Sequence, residues 1–429
     1  MNIALFVIVG IAVLFAGWRQ ILWLPLEGQP SPMEALSVAM VESAKGAVEL
    51  AIGLVGVMTL FLGLMKVAEA GGMLKILARL IRPLMVRLFP EVPPDHPAMG
   101  AMILNLSANA LGLGNAATPF GIRAMQELDR LNPEPGTATN AMALFLAINT
   151  SSVTLLPTGV IALRAAAGSM DPAAILPTTL FATICSTTAA IIAAKCYSAW
   201  RPQKLTPKDS VATLDGGKTP HEGIAENDSG AYPMWISLAA LAGLCAMVPL
   251  ALLFGRQISP WILPGLMVFF LAFGMFRKVR VYEVLVEGGK EGFQVALRII
   301  PYLVTILVAV GMLRASGALD VFVSTLGAVT GRVGLPAEAL PMALMRPLSG
   351  SGAYGIMASI INDPAIGPDS YTGYLVSTLQ GSTETTFYVL AVYFGAVQVK
   401  RIRHSMAAAL TADVVGVIGA VVACMFFLT

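Results

Sequence analysis

The chain has 429 residues, 56% of them hydrophobic and 12% charged, with a formal net charge of +2 and a mean hydropathy of +0.77. Soluble domains carry about 25% charged residues, so a water-soluble globular protein is excluded and an integral membrane protein is indicated. Four scattered cysteines (Cys185, Cys196, Cys245, Cys424) form neither a disulfide framework nor a metal spacing, and no basic stripe with interleaved aromatics points to nucleic acid.

Along the chain, Met1–Trp18 is apolar, lacks a basic leading region and a convincing cleavage site, and reads as a retained transmembrane helix ending at the interfacial pair Trp18-Arg19. A span needs about 20 mostly apolar residues. The first half offers 2–18, 48–65, 137–165 and 172–194; the second offers 234–254, 258–276, 292–313, 370–399 and 405–428. Between the halves, Arg201–Tyr232 is rich in Lys, Asp, Glu, Gly, Pro and Thr and reads as a disordered cytoplasmic linker. The expected domains are therefore 1–200 and 233–429, joined by 201–232.

Two spans are interrupted. Gln380-Gly381-Ser382-Thr383-Glu384-Thr385-Thr386 breaks 370–399, and Asn149-Thr150-Ser151-Ser152 breaks 137–165. Polar groups in hydrocarbon are tolerated where they line a cavity or pack on protein, and paired breaks in two halves point to a transport site. Two further stretches, Pro97–Pro119 and Pro341–Ile361, read as re-entrant hairpins with polar tips at Asn105–Asn109 and Arg346–Gly352.

The order of helix, amphipathic connector, hairpin, broken helix and final helix thus occurs twice. A gap-free register sets Asn149 on Gln380, Ser151 on Ser382 and Thr154 on Thr385. Basic clusters follow 48–65 (Lys66, Lys75, Arg79, Arg82, Arg87), 172–194 (Lys195, Arg201, Lys204, Lys208, Lys218) and 258–276 (Arg277, Lys278, Arg280), and precede 405–428 (Lys400, Arg401, Arg403). Placed in the cytoplasm, they make the halves run in opposite senses, with the N-terminus inside and the C-terminus outside. The extra leading helix of the second half supplies the flip. The expected fold is an all-α polytopic membrane protein of two inverted-topology repeats, each with a re-entrant helical hairpin and a broken transmembrane helix.

Gly112-Leu113-Gly114-Asn115-Ala116-Ala117-Thr118-Pro119-Phe120-Gly121, followed by Met125-Gln126-Glu127-Leu128, resembles spore maturation protein A. Leu344-Met345-Arg346-Pro347-Leu348-Ser349-Gly350-Ser351-Gly352, Gly367-Pro368-Asp369-Ser370 and Gln380–Tyr393 resemble spore maturation protein B. The chain is thus similar to a fusion of two members of the nucleoside-recognition, or gate, superfamily. That resemblance implies a helical transporter core with hairpin tips and broken helices around a midplane site. It implies no substrate.

Glu384 leads the candidates, because an intramembrane carboxylate costs about 2.5–3.5 kcal/mol on insertion scales and marks function by default. Desolvation favours a protonated carboxyl, suiting proton coupling; a nearby cation favours the carboxylate, suiting Na⁺ or a cationic solute. The competing reading is a buried ion pair with Arg346, which would itself either bind an anionic group or neutralise Glu384. Ser349 and Ser351 would offer hydroxyls or pack as small residues. Gln380, Ser382, Thr383 and Thr385 complete the second break. Asn105, Ser107 and Asn109 would line the site or join helices. Asn149, Thr150, Ser151 and Ser152 would free carbonyls for an ion or bond back within a helix. Asp413 is expected to pair with Arg401 or Arg403 near the interface rather than to serve a proton path.

No zinc, phosphate-loop or nucleophile–base motif supports an enzyme, and no cofactor is expected. The expected activity is secondary transport of a small polar or charged solute at a midplane site, coupled to H⁺ or Na⁺, in a bacterial inner membrane. A passive channel and a non-transporting scaffold of the spore maturation type are the alternatives. The expected partners are the lipid bilayer and a small solute; the sequence marks no oligomer interface but is compatible with a homo-oligomer.

Overall fold

The computed structural model describes residues 2–24, 30–112, 117–151, 154–200, 232–319, 321, 325 and 330–428. Residues 201–231 of the expected linker lie outside the described residues, as do Ser152 and Asn115. The first half comprises α1 (Asn2–Ile21), α2 (Pro32–Ala70), α3 (Met73–Leu88), α4 (Pro97–Ala110), α5 (Thr118–Arg130), α6 (Asn140–Ser151), α7 (Thr158–Ala166) and α8 (Leu176–Trp200). The second comprises α9 (Met234–Phe276), α10 (Val281–Ser316), α11 (Leu340–Met345), α12 (Gly350–Ile361), α13 (Tyr371–Ser382), α14 (Thr386–Ala396) and α15 (Ser405–Leu428). Pro32–Ala70, Leu176–Trp200 and Ser405–Phe426 are long and apolar enough to cross a bilayer, and Leu5–Ile21, Trp261–Phe276 and Gly350–Ile361 are shorter apolar helices. The protein is a multi-pass, all-α membrane protein.

Local chemistry sets several boundaries. α2 starts well before the expected span at 48, because Ser31 and Glu34 form a reciprocal capping box around Pro32. α3 is strongly amphipathic, the connector expected between span and hairpin. α9 is one helical run where two spans, 234–254 and 258–276, are expected. Ser237 donates to Leu80 O at 2.7 Å near its start, yet Phe273 packs on Gly71 near its end. A straight helix would hold those two residues about 54 Å apart, whereas Gly71 and Leu80 are nine positions apart. The run therefore bends strongly and brings its ends together, as two spans would.

Counterpart helices of the two halves pack antiparallel. Along α2 and α10, Gly63 meets Leu285, Gly288 meets Leu62 and Lys66, Gly292 meets Met58 and Thr59, and Gly311 meets Ala39 and Ser43. Along α8 and α15, Ser186 Oγ donates to Ala412 O at 2.9 Å, and Gly419 lies on Ala182 and Cys185. Small residues dominate both seams. Lipid gives helices no hydrophobic reason to associate, so close backbone approach and dispersion must hold them.

The broken helices tie two cores together. One core gathers Met99 and Met102 of α4, Met125 and Leu128 of α5, Met142 and Phe145 of α6, and Tyr393 and Phe394 of α14. The other gathers Ile161 and Leu163 of α7, Met342 of α11, Ile356 and Met357 of α12, and Leu375 and Leu379 of α13. The first half of each broken helix thus packs with its own hairpin, and the second half crosses to the other core. Phe145 and Tyr393 stack across this exchange with ring centroids 6.0 Å apart.

The exchange is fastened by two joints at opposite ends of the α8–α15 pair. The loop before α13 docks on the end of α7: fully buried Arg164 pairs with Asp369 at 2.9 Å and donates to Pro368 O at 2.6 Å. Asp369 also accepts from Ser169 Oγ at 2.6 Å and Met170 N at 2.8 Å. The loop before α6 docks on the chain after α14 in the same way. Ala138 N donates to Arg401 O at 2.9 Å, Lys400 N and Arg401 N donate to Gly136 O, and Arg403 Nη1 donates to Asn140 Oδ1 at 3.0 Å.

Candidate functional site

The first hairpin differs from expectation. Asn105, Ser107 and Asn109 are not its tip but lie within α4, which ends at Ala110, and Gly112 follows at φ 74°. Amides are tolerated inside this helix because distant partners take them. Asn105 Nδ2 donates to Ala117 O at 2.8 Å and Tyr393 Oη at 3.1 Å, and Asn109 Nδ2 donates to Asn149 Oδ1 at 2.9 Å. Ser107 is buried. The second hairpin turns where expected: α11 ends at Met345 and α12 starts at Gly350, capped by Ser349 Oγ, which accepts from Gly352 N at 3.0 Å. Ser351 Oγ lies 3.4 Å from Ser349 Oγ.

Both spans are interrupted, but later than expected: residues 149–151 and 380–382 are helical, and the described non-helical residues are 154–157 and 383–385. α6 is described as far as Ser151, with 152–153 outside the described residues, and α13 ends at Ser382. The breaks meet backbone to backbone, with Glu384 N donating to Thr150 O at 2.8 Å. Ser151 O accepts from Thr183 Oγ1 at 3.0 Å. These carbonyls are therefore taken up by protein. The side chains of Thr150 and Ser151 bond back to Ala147 O and Ile148 O.

Where breaks and hairpins converge lies a cavity of about 220 Å³. Asn109, Arg346, Gln380, Thr383 and Glu384 line it, with Thr158 and Gly159 at the start of α7, Gly350 at the start of α12, and Tyr354. Arg346 is buried, and its guanidinium reaches across from the hairpin tip to the second break. Nη1 donates to Thr385 Oγ1 at 3.2 Å, Nη2 donates to Thr383 O, and Nη2 lies 3.8 Å from Glu384 Oε2. The Glu384 side chain is 44% exposed, against 7% for Arg346. Hence the pair is loose, and the carboxylate faces the cavity. Gln380 Oε1 has no hydrogen-bond partner among the described residues. Two helix N-termini add partial positive charge to the same wall.

The structure thus gathers five of the sequence candidates at the cavity and sets Thr385 and Asn149 one bond behind it. Asn105, Ser107, Thr150, Ser151, Ser349, Ser351 and Ser382 do not line it. Three features escaped the sequence reading. The Arg164–Asp369 pair falls on a span end and a loop, and Tyr354 gave no polar signal; its Oη donates to Gly159 O at 2.8 Å. Asp413 does not pair with Arg401 or Arg403. Arg401 sits 3.5 Å from Glu134, and Asp413 is buried beside the second break, where its Oδ2 accepts from Thr386 Oγ1 at 2.7 Å.

Comparison with known proteins fits this architecture. The family described as Gate, nucleoside recognition, matches residues 51–167 and 296–400, one segment in each half. Spore maturation protein A of Bacillus subtilis (strain 168) is 45% identical over 172 residues, 40% of this chain and 88% of that protein. Spore maturation protein B of the same organism is 46% identical over 160 residues, 37% of this chain and 89% of that protein. Nearly the whole of two separate proteins therefore finds its likeness in one chain, as in a fusion. No solved structure matches the chain. With more than half of its residues inside the two matched segments, the chain belongs to the Gate nucleoside-recognition family.

Proposed function

We propose that this protein is a secondary-active transporter of a small polar or charged solute, and that the cavity at the two breaks is its midplane site. The observation that carries the proposal is the loose Arg346–Glu384 pair facing a polar cavity built by both halves. A merely structural pair would close to contact distance and exclude space. Arg346 and the two helix N-termini suit an acceptor-rich or anionic group, and Glu384, Gln380 and Asn109 suit donors on the same solute. A nucleoside is one solute of that kind, suggested by the family's name alone. H⁺ or Na⁺ is the proposed coupling ion.

The two halves act as inverted-topology repeats, 1–200 and 233–429, with α4–α5 and α11–α12 as re-entrant hairpins. The antiparallel seams, the exchanged half-helices and the pair of joints at opposite ends all support this arrangement. It places the basic joint around Lys400–Arg403 in the cytoplasm and Asp369 outside, in a bacterial cytoplasmic membrane.

A thermal-shift screen of nucleosides, amino acids and organic anions identifies the solute. A ligand at 100 times its Kd stabilises the native state by about 2.7 kcal/mol. Proteoliposomes then test counterflow. Saturable counterflow that is lost in Glu384→Gln, with unchanged folding, is the expected result. Flux without counterflow would make the protein a passive channel, and no flux with any binder would make it a spore-maturation scaffold.

A further inference from the structure

We propose that Asp413 carries a proton that serves as the coupling ion for the cavity, and that Arg346 reports its loss to Glu384. The idea deepens the transport reading but stands on charge and geometry that hold without it.

Asp413 is 6% exposed, on α15. One carboxylate oxygen, Oδ2, accepts from Thr386 Oγ1 at 2.7 Å; the other, Oδ1, has no hydrogen-bond partner among the described residues. On α13, which packs on α15, Ser382 is fully buried and its Oγ is likewise without a partner among the described residues. Among the described residues, the helices packed most closely on α15 offer no countercharge. α6 carries no titratable side chain; α8 carries Cys185, Lys195, Cys196 and Tyr197; α13 carries Tyr371 and Tyr374; α14 carries Tyr388 and Tyr393. Lys195 is exposed. Arg346, 3.8 Å from Glu384, donates to Thr385 Oγ1 at 3.2 Å, and Asp413 holds the adjacent Thr386, so one guanidinium serves the end of the break to which both carboxylates are tied.

Two carboxylates thus share one guanidinium, leaving one negative charge in excess inside the membrane if both are ionised. Such a charge is costly in a low-dielectric interior. Glu384 meets the cavity and can be screened by solvent or solute. Asp413 cannot, so the balancing proton resides there, on Oδ1.

The coupling follows from where Arg346 sits. With Asp413 protonated, the guanidinium rests on Thr383 O, Thr385 and Glu384, holding the hairpin tip on the break. When the proton leaves to solvent, the new carboxylate draws Arg346 away from Glu384, and both the cavity charge and the tip contact change. No bond other than O–H is made or broken.

The test is infrared difference spectroscopy of the carboxyl C=O stretch on the full-length protein in nanodiscs, titrated through neutral pH. A protonated-carboxyl band is expected in the wild type, retained in Glu384→Gln and lost in Asp413→Asn. In Thr386→Val the band should persist but move to higher frequency, because a hydrogen bond to the carbonyl is gone. A band lost in Glu384→Gln but kept in Asp413→Asn would overturn the assignment. So would no band in the wild type at neutral pH, or a thermal stabilisation by NaCl over KCl that Asp413→Asn abolishes. If the band behaves as expected but proteoliposomes show no flux, the transport reading fails and the proton site stands.

Discussion

Replacing Arg164 with methionine keeps the apolar stem and deletes the guanidinium that fastens α7 to the loop before α13. Arg164 is fully buried, whereas the Asp369 side chain is 24% exposed and keeps its bonds from Ser169 and Met170 N. Pro368 O loses its 2.6 Å donor, and the Tyr374 ring loses a cation 4.3 Å from its centroid. Breaking a buried pair at one partner costs about 3–5 kcal/mol. The partial exposure of Asp369 puts Arg164→Met at the low end, about 3 kcal/mol, roughly a hundredfold in the folding equilibrium. Asp369→Leu should cost more, because it strands a cation with no route to water. The double variant should cost less than Asp369→Leu alone, since no charge is left unpaired. Equilibrium unfolding in mixed micelles, followed by circular dichroism, gives all three values. A loss below about 1 kcal/mol for Arg164→Met, or strict additivity in the double variant, would refute the buried-latch argument.

Other predictions concern the seams. At Gly121 an added Cβ would run into Tyr393 Oη and Cζ and come within 2.9 Å of Asn105 Nδ2, so Gly121→Ala should destabilise by about 1–3 kcal/mol, and Tyr393→Phe, which keeps Cζ, should not rescue it. At Gly292 an added Cβ would stand 2.6 Å from Met58 O; Gly292→Ala should force α2 and α10 apart at a similar cost, and a neutral result in the same unfolding assay would contradict the close packing. Single cysteines at Met170 and Glu134, in a cysteine-free background, should label with an impermeant maleimide from opposite sides of the membrane; labelling from one side would exclude inverted repeats.

The membrane class and the interruption of one helix in each half were legible in the sequence. Hydrocarbon gives unpaired polar groups no solvent, so a run such as Gln380–Thr386 stands out against its apolar flanks. What was not legible depends on partners far away in the chain. Asn105 lies in a helix rather than a tip because its amide reaches Tyr393, 288 positions on. Arg164 can be buried because Asp369, 205 positions on, folds over it. Asp413 sits beside Thr386 rather than pairing with Arg401 or Arg403 because α15 packs along α8 and against the second break. The cost of polar groups in lipid is local and can be read along the chain; the partner that offsets each cost is chosen by three-dimensional packing.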